Sequence, residues 1–364
     1  MIVLLRSTDG CPDSRLQKYV DVLECHGVEY STVCWDRNCK MKDCDKNVYY
    51  HKKGQYSLGW KNICGLIGFN LFIFKWLIKN RKKIKTIHAC DFDTILPAML
   101  FKLLFRCAVI YDIFDWYVDS RNLSILKYFV LLLEWGNLKL ADVTLICEEE
   151  RKKQLCTSPR KCWILPNIPN LVQFKQQNFV AESHNWDIIR LSYVGILSCN
   201  RGIENILNFV SKHQFKYSLS IAGFGELEGM VKEYAERFEN IVFHGAVEYS
   251  KGLDIMCNSD LIMAIYELSI PNHIYAAPNK YYEGLFLGKP ILTTKGTLVG
   301  NKTEMNDTGF VIEDSYDALS LLLDNLTKKE IVLVGKKAEK LWLSKYSAYV
   351  DKFMDNYYLP FINR

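Results

Sequence analysis

Tyr193-Val-Gly-Ile-Leu-Ser-Cys-Asn-Arg-Gly-Ile-Glu-Asn-Ile-Leu207 opens as a short apolar strand, breaks at Gly195, turns through Arg201 and Gly202, and continues as an amphipathic helix. The free N–H groups and the dipole at the start of such a helix favour an anion. Arg201 adds an always-charged donor fork suited to phosphate oxygens, although a solvated arginine beside a tight turn would read the same way. The alternation of strand and helix extends outward from this stretch in both directions. Strands are predicted at Leu191–Val194, Ser218–Ala222, Ile241–Phe243, Leu261–Ile265, Ile291–Thr293 and Gly309–Ile312. Before it they are predicted at Ile2–Leu5, Tyr30–Cys34, Thr86–Cys90, Ala108–Ile113, Val143–Cys147 and Cys162–Leu165, separated by helical patterns at about 13–26, 61–80, 94–105, 121–140 and 148–155. Alternation of this kind implies parallel sheets covered by helices on both faces. Its occurrence twice predicts an α/β protein of two Rossmann-like domains facing across a cleft, with ligands outside the carboxyl ends of the strands.

At ~150 residues per domain, 364 residues also give two domains. The expected division is 1–175, a polar linker at 176–188, and a second domain at 189–340. The tail at 341–364, with Trp342, Tyr346, Tyr349, Phe353, Tyr357 and Tyr358 in or beside a helical pattern, is expected to pack back on the first domain. A chain 49% apolar and 24% charged is folded rather than disordered, and it holds no internal repeat. The net charge of +5 conceals an asymmetry: residues 1–175 hold 27 Lys and Arg against 18 Asp and Glu, or +9, and the remainder carries −4.

Thirteen cysteines, scattered and without a CxxC pair, read for the most part as reduced core residues. Cys34, Cys39, Cys44 and His51 are spaced too widely for an ordinary zinc site. Met1–Leu5 is followed at once by Arg6 and lacks the layout of a signal peptide, so a cytoplasmic protein is expected. The apolar run Ile63–Ile78 is too short to span a bilayer and is interrupted by Asn70 and Lys75. Lys79, Arg81, Lys82, Lys83 and Lys85 follow it, which makes 63–85 a candidate for contact with an anionic membrane surface or, more plainly, a core helix with a solvated charge run. The basic cluster lacks interleaved aromatics, which argues against nucleic acid.

Two further segments carry chemistry. Ser220-Ile-Ala-Gly-Phe-Gly-Glu-Leu-Glu-Gly229 resembles a dinucleotide fingerprint, but its last glycine is one residue late and no acid ends the next strand, so an NAD site is not expected. Gly223 and Gly225 fit a tight turn that lets a ligand approach backbone. In Ala277-Pro-Asn-Lys-Tyr-Tyr-Glu-Gly284, Pro278 suits a helix start and Lys280 and Glu283 share one face. A lysine there can meet phosphate and a glutamate can accept from sugar hydroxyls; an exposed ion pair is the simpler alternative. Asp91-Phe-Asp93 could hold a divalent cation beside a diphosphate, although Asp93 or Thr94 also fits as a helix cap.

Taken in order, these stretches, with Asn240-Ile-Val-Phe-His-Gly245 and Gly288-Lys-Pro290, resemble the nucleotide-binding domain of the group 1, or family 4, glycosyltransferases of the GT-B fold. Asp13-Ser-Arg-Leu-Gln-Lys18, Gly27-Val-Glu-Tyr30, Trp35-Asp-Arg37, Ile87-His88, Tyr111-Asp112 and Leu165-Pro-Asn167 are similar to the acceptor-binding half. The resemblance implies a metal-independent, retaining transfer of a hexose from a UDP- or GDP-sugar to a lipid-linked or oligosaccharide acceptor, in surface polysaccharide assembly and with no other cofactor. It implies that Arg201 and Lys280 stabilise the departing diphosphate and that Glu283 holds the ribose hydroxyls. Gly10, Gly195, Gly202, Gly223, Gly225 and Asn279 would complete the donor site. Arg15, His88 and Asp91 fall on the acceptor side, with His88 and Asp115 as catalytic candidates. The chain departs from the pattern at Ile196, where a basic residue is frequent, at Tyr275, where the first of two paired glutamates would fall, and at Cys90 and Phe114. An epimerase or phosphorylase on the same fold, or a silent sugar-nucleotide-binding scaffold, are the alternatives.

Overall fold

A computed structural model describes residues 1–8, 13–54, 60–121, 123–169 and 188–364. The chain forms two compact units, Met1–Pro166 with Asp351–Arg364, and Asn167–Val350. The expected linker at 176–188 lies outside the described residues except for its last position.

The first unit is built on β1 (Ile2–Arg6), α1 (Ser14–Cys25), β2 (Tyr30–Asp36), β3 (Asn47–His51), α2 (Trp60–Lys79), β4 (Thr86–Cys90), α3 (Phe92–Phe105), β5 (Ala108–Ile113), α4 (Leu126–Leu140), β6 (Val143–Ile146) and β7 (Cys162–Ile164). Seven parallel strands lie in the order β3-β2-β1-β4-β5-β6-β7. Strands covered on both faces read as continuous apolar runs, and β2, β4 and β6 are buried along their whole length. The sequence pattern omits β3: Asn-Val-Tyr-Tyr-His is a half-exposed edge strand behind a polar, lysine-rich approach, so its alternation is weak. The crossovers from β3 to β4, β4 to β5 and β5 to β6 all advance in one direction, so right-handed connections put α2, α3 and α4 on one face and α1 on the other. Accordingly α2 packs on α3, and α3 on α4. The C-terminal residues complete the opposite side of this unit. Phe353 and Phe361 set their rings edge-on to Trp163 at 5.8 and 5.5 Å, and Tyr358 is fully buried beside Tyr19 and His88.

The second unit carries β8 (Ile189–Val194), α5 (Ile203–Lys212), β9 (Tyr217–Ala222), α6 (Glu228–Arg237), β10 (Ile241–Phe243), α7 (Tyr249–Cys257), β11 (Leu261–Ala264), α8 (Pro271–Ile274), α9 (Asn279–Leu287), β12 (Ile291–Thr294), α10 (Leu298–Asn306), β13 (Gly309–Ile312), α11 (Tyr316–Asn325) and α12 (Lys328–Leu341). Its six parallel strands run β10-β9-β8-β11-β12-β13. Hydroxyl caps start the last three helices: Thr297, Ser315 and Thr327 each accept from a backbone N–H, and Thr327 with Glu330 forms a reciprocal box. Both units are Rossmann-like. In each, strand order reverses direction beside the first strand, at β1/β4 and at β8/β11, which leaves a crevice at the carboxyl edge of the sheet.

Candidate functional site

At the β8/β11 reversal the loop after β8 is laced to its neighbours by backbone hydrogen bonds. The Gly195 N–H donates to Ala222 O at 3.0 Å, Leu197 to Phe224 O at 2.9 Å, and Gly223 to Gly245 O at 2.8 Å. Glu226 fastens the turn by accepting from the Cys199 N–H at 2.9 Å. Backbone packed this closely leaves no room for Cβ atoms: one added at Gly223 would collide with the Gly195 carbonyl. Gly202 holds φ +67° at the start of α5, where a side chain would also meet Ile265.

Three charged side chains converge on this edge of the sheet. Arg201 sits half-buried with its guanidinium 4.6 Å from the centre of the Tyr266 ring. Lys280, the second residue of α9, lies over the Tyr193 ring at 4.1 Å. Its ammonium reaches the glycine loop, since a Cβ on Gly195 would lie only 3.3 Å from Nζ. Glu283, buried and nearly one turn along α9, accepts from the Tyr249 hydroxyl at 3.0 Å. Among the described residues, neither Arg201 nor Lys280 forms a salt bridge; each rests on an aromatic face instead. Burial, and secondarily the neighbouring Arg201, draws the Lys280 ammonium down to about 7, against the attraction of Glu283. Burial pushes the Glu283 carboxyl up to about 7, opposed by Tyr249 and Lys280. Two neighbouring cations, one of them buried, repel each other, and a diphosphate would relieve that cost. Asn279, the first residue of α9, lies at the same helix start.

The matching edge of the first unit is charged as well, but there Arg6, Arg15 and Arg121 are each paired with carboxylates of the same unit, while the buried Lys18 lies 3.5 Å from the Pro166 carbonyl. Asp112 is fully buried and accepts from Arg15 Nη2 at 2.5 Å, Arg15 Nε at 3.2 Å, the Tyr19 hydroxyl at 2.8 Å and His88 Nε2 at 3.3 Å. Burial alone would raise its pKa, yet Arg15 and His88 outweigh that and hold it at about 2. The other ring nitrogen of His88, Nδ1, is hydrogen-bonded to the Tyr358 hydroxyl 2.9 Å away. Both ring nitrogens are thus used inside the unit, and no part of His88 is exposed.

Asp91 adopts φ 64° and ψ 170°, a region that side chains rarely occupy, and its carboxylate accepts from Arg6 and from the Phe114 N–H. Burial pushes it up to about 6 against the pull of Arg6. Asp93 accepts from Ser7 at 3.0 Å and Arg121 at 3.3 Å, so both carboxylates of the Asp-Phe-Asp stretch are engaged by arginine, and neither caps α3 through its side chain. Asp115 is more than half exposed and pairs with Arg151 at 3.3 Å. Gly10 lies outside the described residues. Among those residues the grouping with metal-ligand spacing is His88, Cys90 and Asp112, whose carboxylate Arg15 already occupies. Cys34, Cys39, Cys44 and His51 form no such grouping among the described residues.

No family model matches the sequence, and no curated protein matches it significantly. Solved structures do. The chain is similar to a sucrose-phosphate synthase from Thermosynechococcus elongatus, 13% identical over all of both chains with a TM-score of 0.75. It is also similar to HepE of Anabaena, solved with UDP and glucose, at 11% identity, full coverage of both chains and a TM-score of 0.69. A glycosyltransferase from Rickettsia africae matches at 13% identity, covering all of this chain and 99% of that one, with a TM-score of 0.66. This chain has the GT-B fold. In this GT-B chain Ile196 stands largely exposed beside Gly195 and brings no cation to the loop, and Tyr275 follows the short helix α8.

The candidate site also contains aromatic groups whose roles the motifs do not announce. Tyr193 and Tyr266 bed the two cations, and Tyr249 orients Glu283. Tyr193 and Tyr266 end or follow strands, where aromatics are ordinary core residues, and Tyr249 begins a helix just after the Asn240–Gly245 stretch, which does not include it. A tyrosine at the carboxyl end of a strand flanking a glycine turn is the one signal the sequence offered.

Proposed function

We propose that this chain is a retaining, metal-independent glycosyltransferase that moves a hexose from a nucleotide-diphosphate sugar to an acceptor hydroxyl, in the assembly of a surface polysaccharide. The observation that carries the reading is the placement of Arg201 and Lys280 over tyrosine rings at the carboxyl edge of the second sheet, next to a glycine loop and a helix start. As the bond between the sugar and the β-phosphate breaks, negative charge accumulates on the diphosphate. Cations already fixed there lower that barrier without reorganising. Lys280 takes up a proton when the diphosphate arrives and remains charged through transfer. Glu283, oriented by Tyr249, accepts from the ribose hydroxyls. The relatives support a nucleotide donor, since HepE was solved with UDP and with UDP-glucose.

A thermal-shift screen of UDP- and GDP-sugars identifies the donor. A ligand at 100 times its dissociation constant stabilises the fold by about 2.7 kcal/mol. Nucleoside diphosphate release that rises only when an acceptor is added supports transfer. Release without acceptor, or none with any donor, removes this reading. The exposed Ile196 favours one alternative, a scaffold that binds sugar nucleotides without turning them over; for it, stabilisation by a donor is accompanied by no release.

A further inference from the structure

In most α/β proteins the outward faces of surface helices mix both signs of charge. The layer formed by α2, α3 and α4 does not. Its three helices contain two carboxylates, Asp93 and Glu134, and both are buried. Glu134 points inward and accepts from the Tyr111 hydroxyl at 2.8 Å, with burial pushing it up to about 8, so it is largely uncharged at neutral pH. The outward side of α4 and the residue before it are apolar and aromatic: Ile125 is 84% exposed, Tyr128 76%, Leu132 65% and Trp135 51%. Phe129 is exposed with them, as are Leu100, Leu103, Leu104 and Phe105 on α3 and Ile67 and Leu71 on α2. The exposed charges on the three helices and in the turns that follow α2 and α3 are cations: Lys75, Lys79, Arg81, Lys82, Lys83 and Lys85 on and after α2, Arg106 after α3, and Lys127 and Lys139 on α4.

We propose that the α2–α3–α4 face of the first unit docks on the surface of an anionic lipid bilayer. Tyrosine and tryptophan suit the headgroup boundary, aliphatic side chains enter the acyl edge, and the lysines meet lipid phosphates. No described helix is long and apolar enough to cross a membrane, so the contact is interfacial. The charge pattern selects this occupant over a second copy of the chain, because a symmetric pairing of this face would set uncompensated cations against each other. The sequence pattern points only to 63–85; the structure adds α4, whose outward side is the most apolar. The inference is independent of what the second unit binds.

The test is flotation of the full chain with phosphatidylglycerol–phosphatidylcholine vesicles and with phosphatidylcholine alone. The chain is expected to float with the anionic vesicles, less at high salt. Each surface cation contributes a factor of about five, so Lys82→Gln with Lys83→Gln weakens partitioning roughly 25-fold. Phe129→Ser with Leu132→Ser weakens it by roughly tenfold or more and flattens the residual salt-resistant binding. Circular dichroism checks that both doubly substituted chains remain folded, as exposed positions allow. Failure to float at low salt, equal flotation of both variants and the parent, or a stable dimer that the Phe129 and Leu132 changes dissociate while no vesicle is bound, would each overturn the proposal. Donor-induced thermal stabilisation reads the second unit separately, so failure here leaves the nucleotide assignment standing.

Discussion

The carboxyl edges of the two sheets solve opposite problems with the same residue types. In the first unit Arg15 is locked on Asp112, Arg6 on Asp13 and Asp91, and Arg121 on Asp93, so each of these cations has its anion within the unit. In the second, Arg201 and Lys280 lie on tyrosine faces while Glu283 takes its hydrogen bond from Tyr249. Internal pairing makes a charge structural; on the proposed function, cations bedded on tyrosine faces instead are free to meet a diphosphate. The difference separates scaffold from binding site better than residue identity does.

Breaking the first arrangement should have the larger effect. Removing one partner of a buried ion pair costs about 3–5 kcal/mol, so Asp112→Asn is expected to lower the urea midpoint of the chain markedly. A change below 1 kcal/mol would show that the Arg15–Asp112 pair is not structural. The pH dependence follows the same pair. The folded carboxyl titrates at about 2 instead of 3.8, so its contribution is complete above 3.8 and is lost as the pH falls toward 2.

Breaking the second arrangement should spare the fold and remove function. Arg201→Met and Lys280→Met keep the apolar stems, and each is expected to slow transfer ~10²–10³-fold. Their melting temperatures should stay level, and for Lys280→Met should hold or rise because a buried cation is gone. Steady-state rates and melting curves measured together check this; a destabilised, fully active variant reverses the comparison.

The smallest effect sharpens it. Because Lys280 titrates at about 7, affinity for UDP should fall above pH 7 by up to tenfold per unit, far below the range of an ordinary lysine. Glu283 ionises over the same interval. Lys280→Met isolates the lysine and should abolish the decline. Calorimetric titration of UDP between pH 7 and 9 measures it, and a flat profile in the parent chain contradicts the assignment.

Much of the scaffold was legible because period and punctuation survive in the sequence. Thr86–Cys90, Ala108–Ile113, Ile241–Phe243 and Gly309–Ile312 fall where the pattern places them, to the residue. The edge strand Asn47–His51 escaped because one exposed side and a polar approach erase the apolar signal. Lys280, Glu283 and Arg201 were legible from a helix start and a glycine turn. The tyrosine that orients Glu283 was not, since Tyr249 is 34 residues away along the chain. The pairing that encloses His88 was hidden for the same reason: its partner Tyr358 is 270 residues away. The outward side of α4 was misleading in a different way. Phe-Val-Leu-Leu-Leu-Glu-Trp lies in a helical pattern whose apolar residues give no sign of which side is outward, and only the fold shows that the glutamate faces in while Leu132 and Trp135 face out.

The return of residues 351–364 to the first unit has a consequence for synthesis. A ribosome releases the N-terminal sheet long before Phe353, Tyr358 and Phe361 emerge, so Trp163, Tyr19 and His88 must wait until residues 351–364 have been made. Of the two units, the first to appear is therefore the later to be finished, and truncation at residue 350 would leave it open to chaperones and proteases while the second unit, already whole, stayed folded.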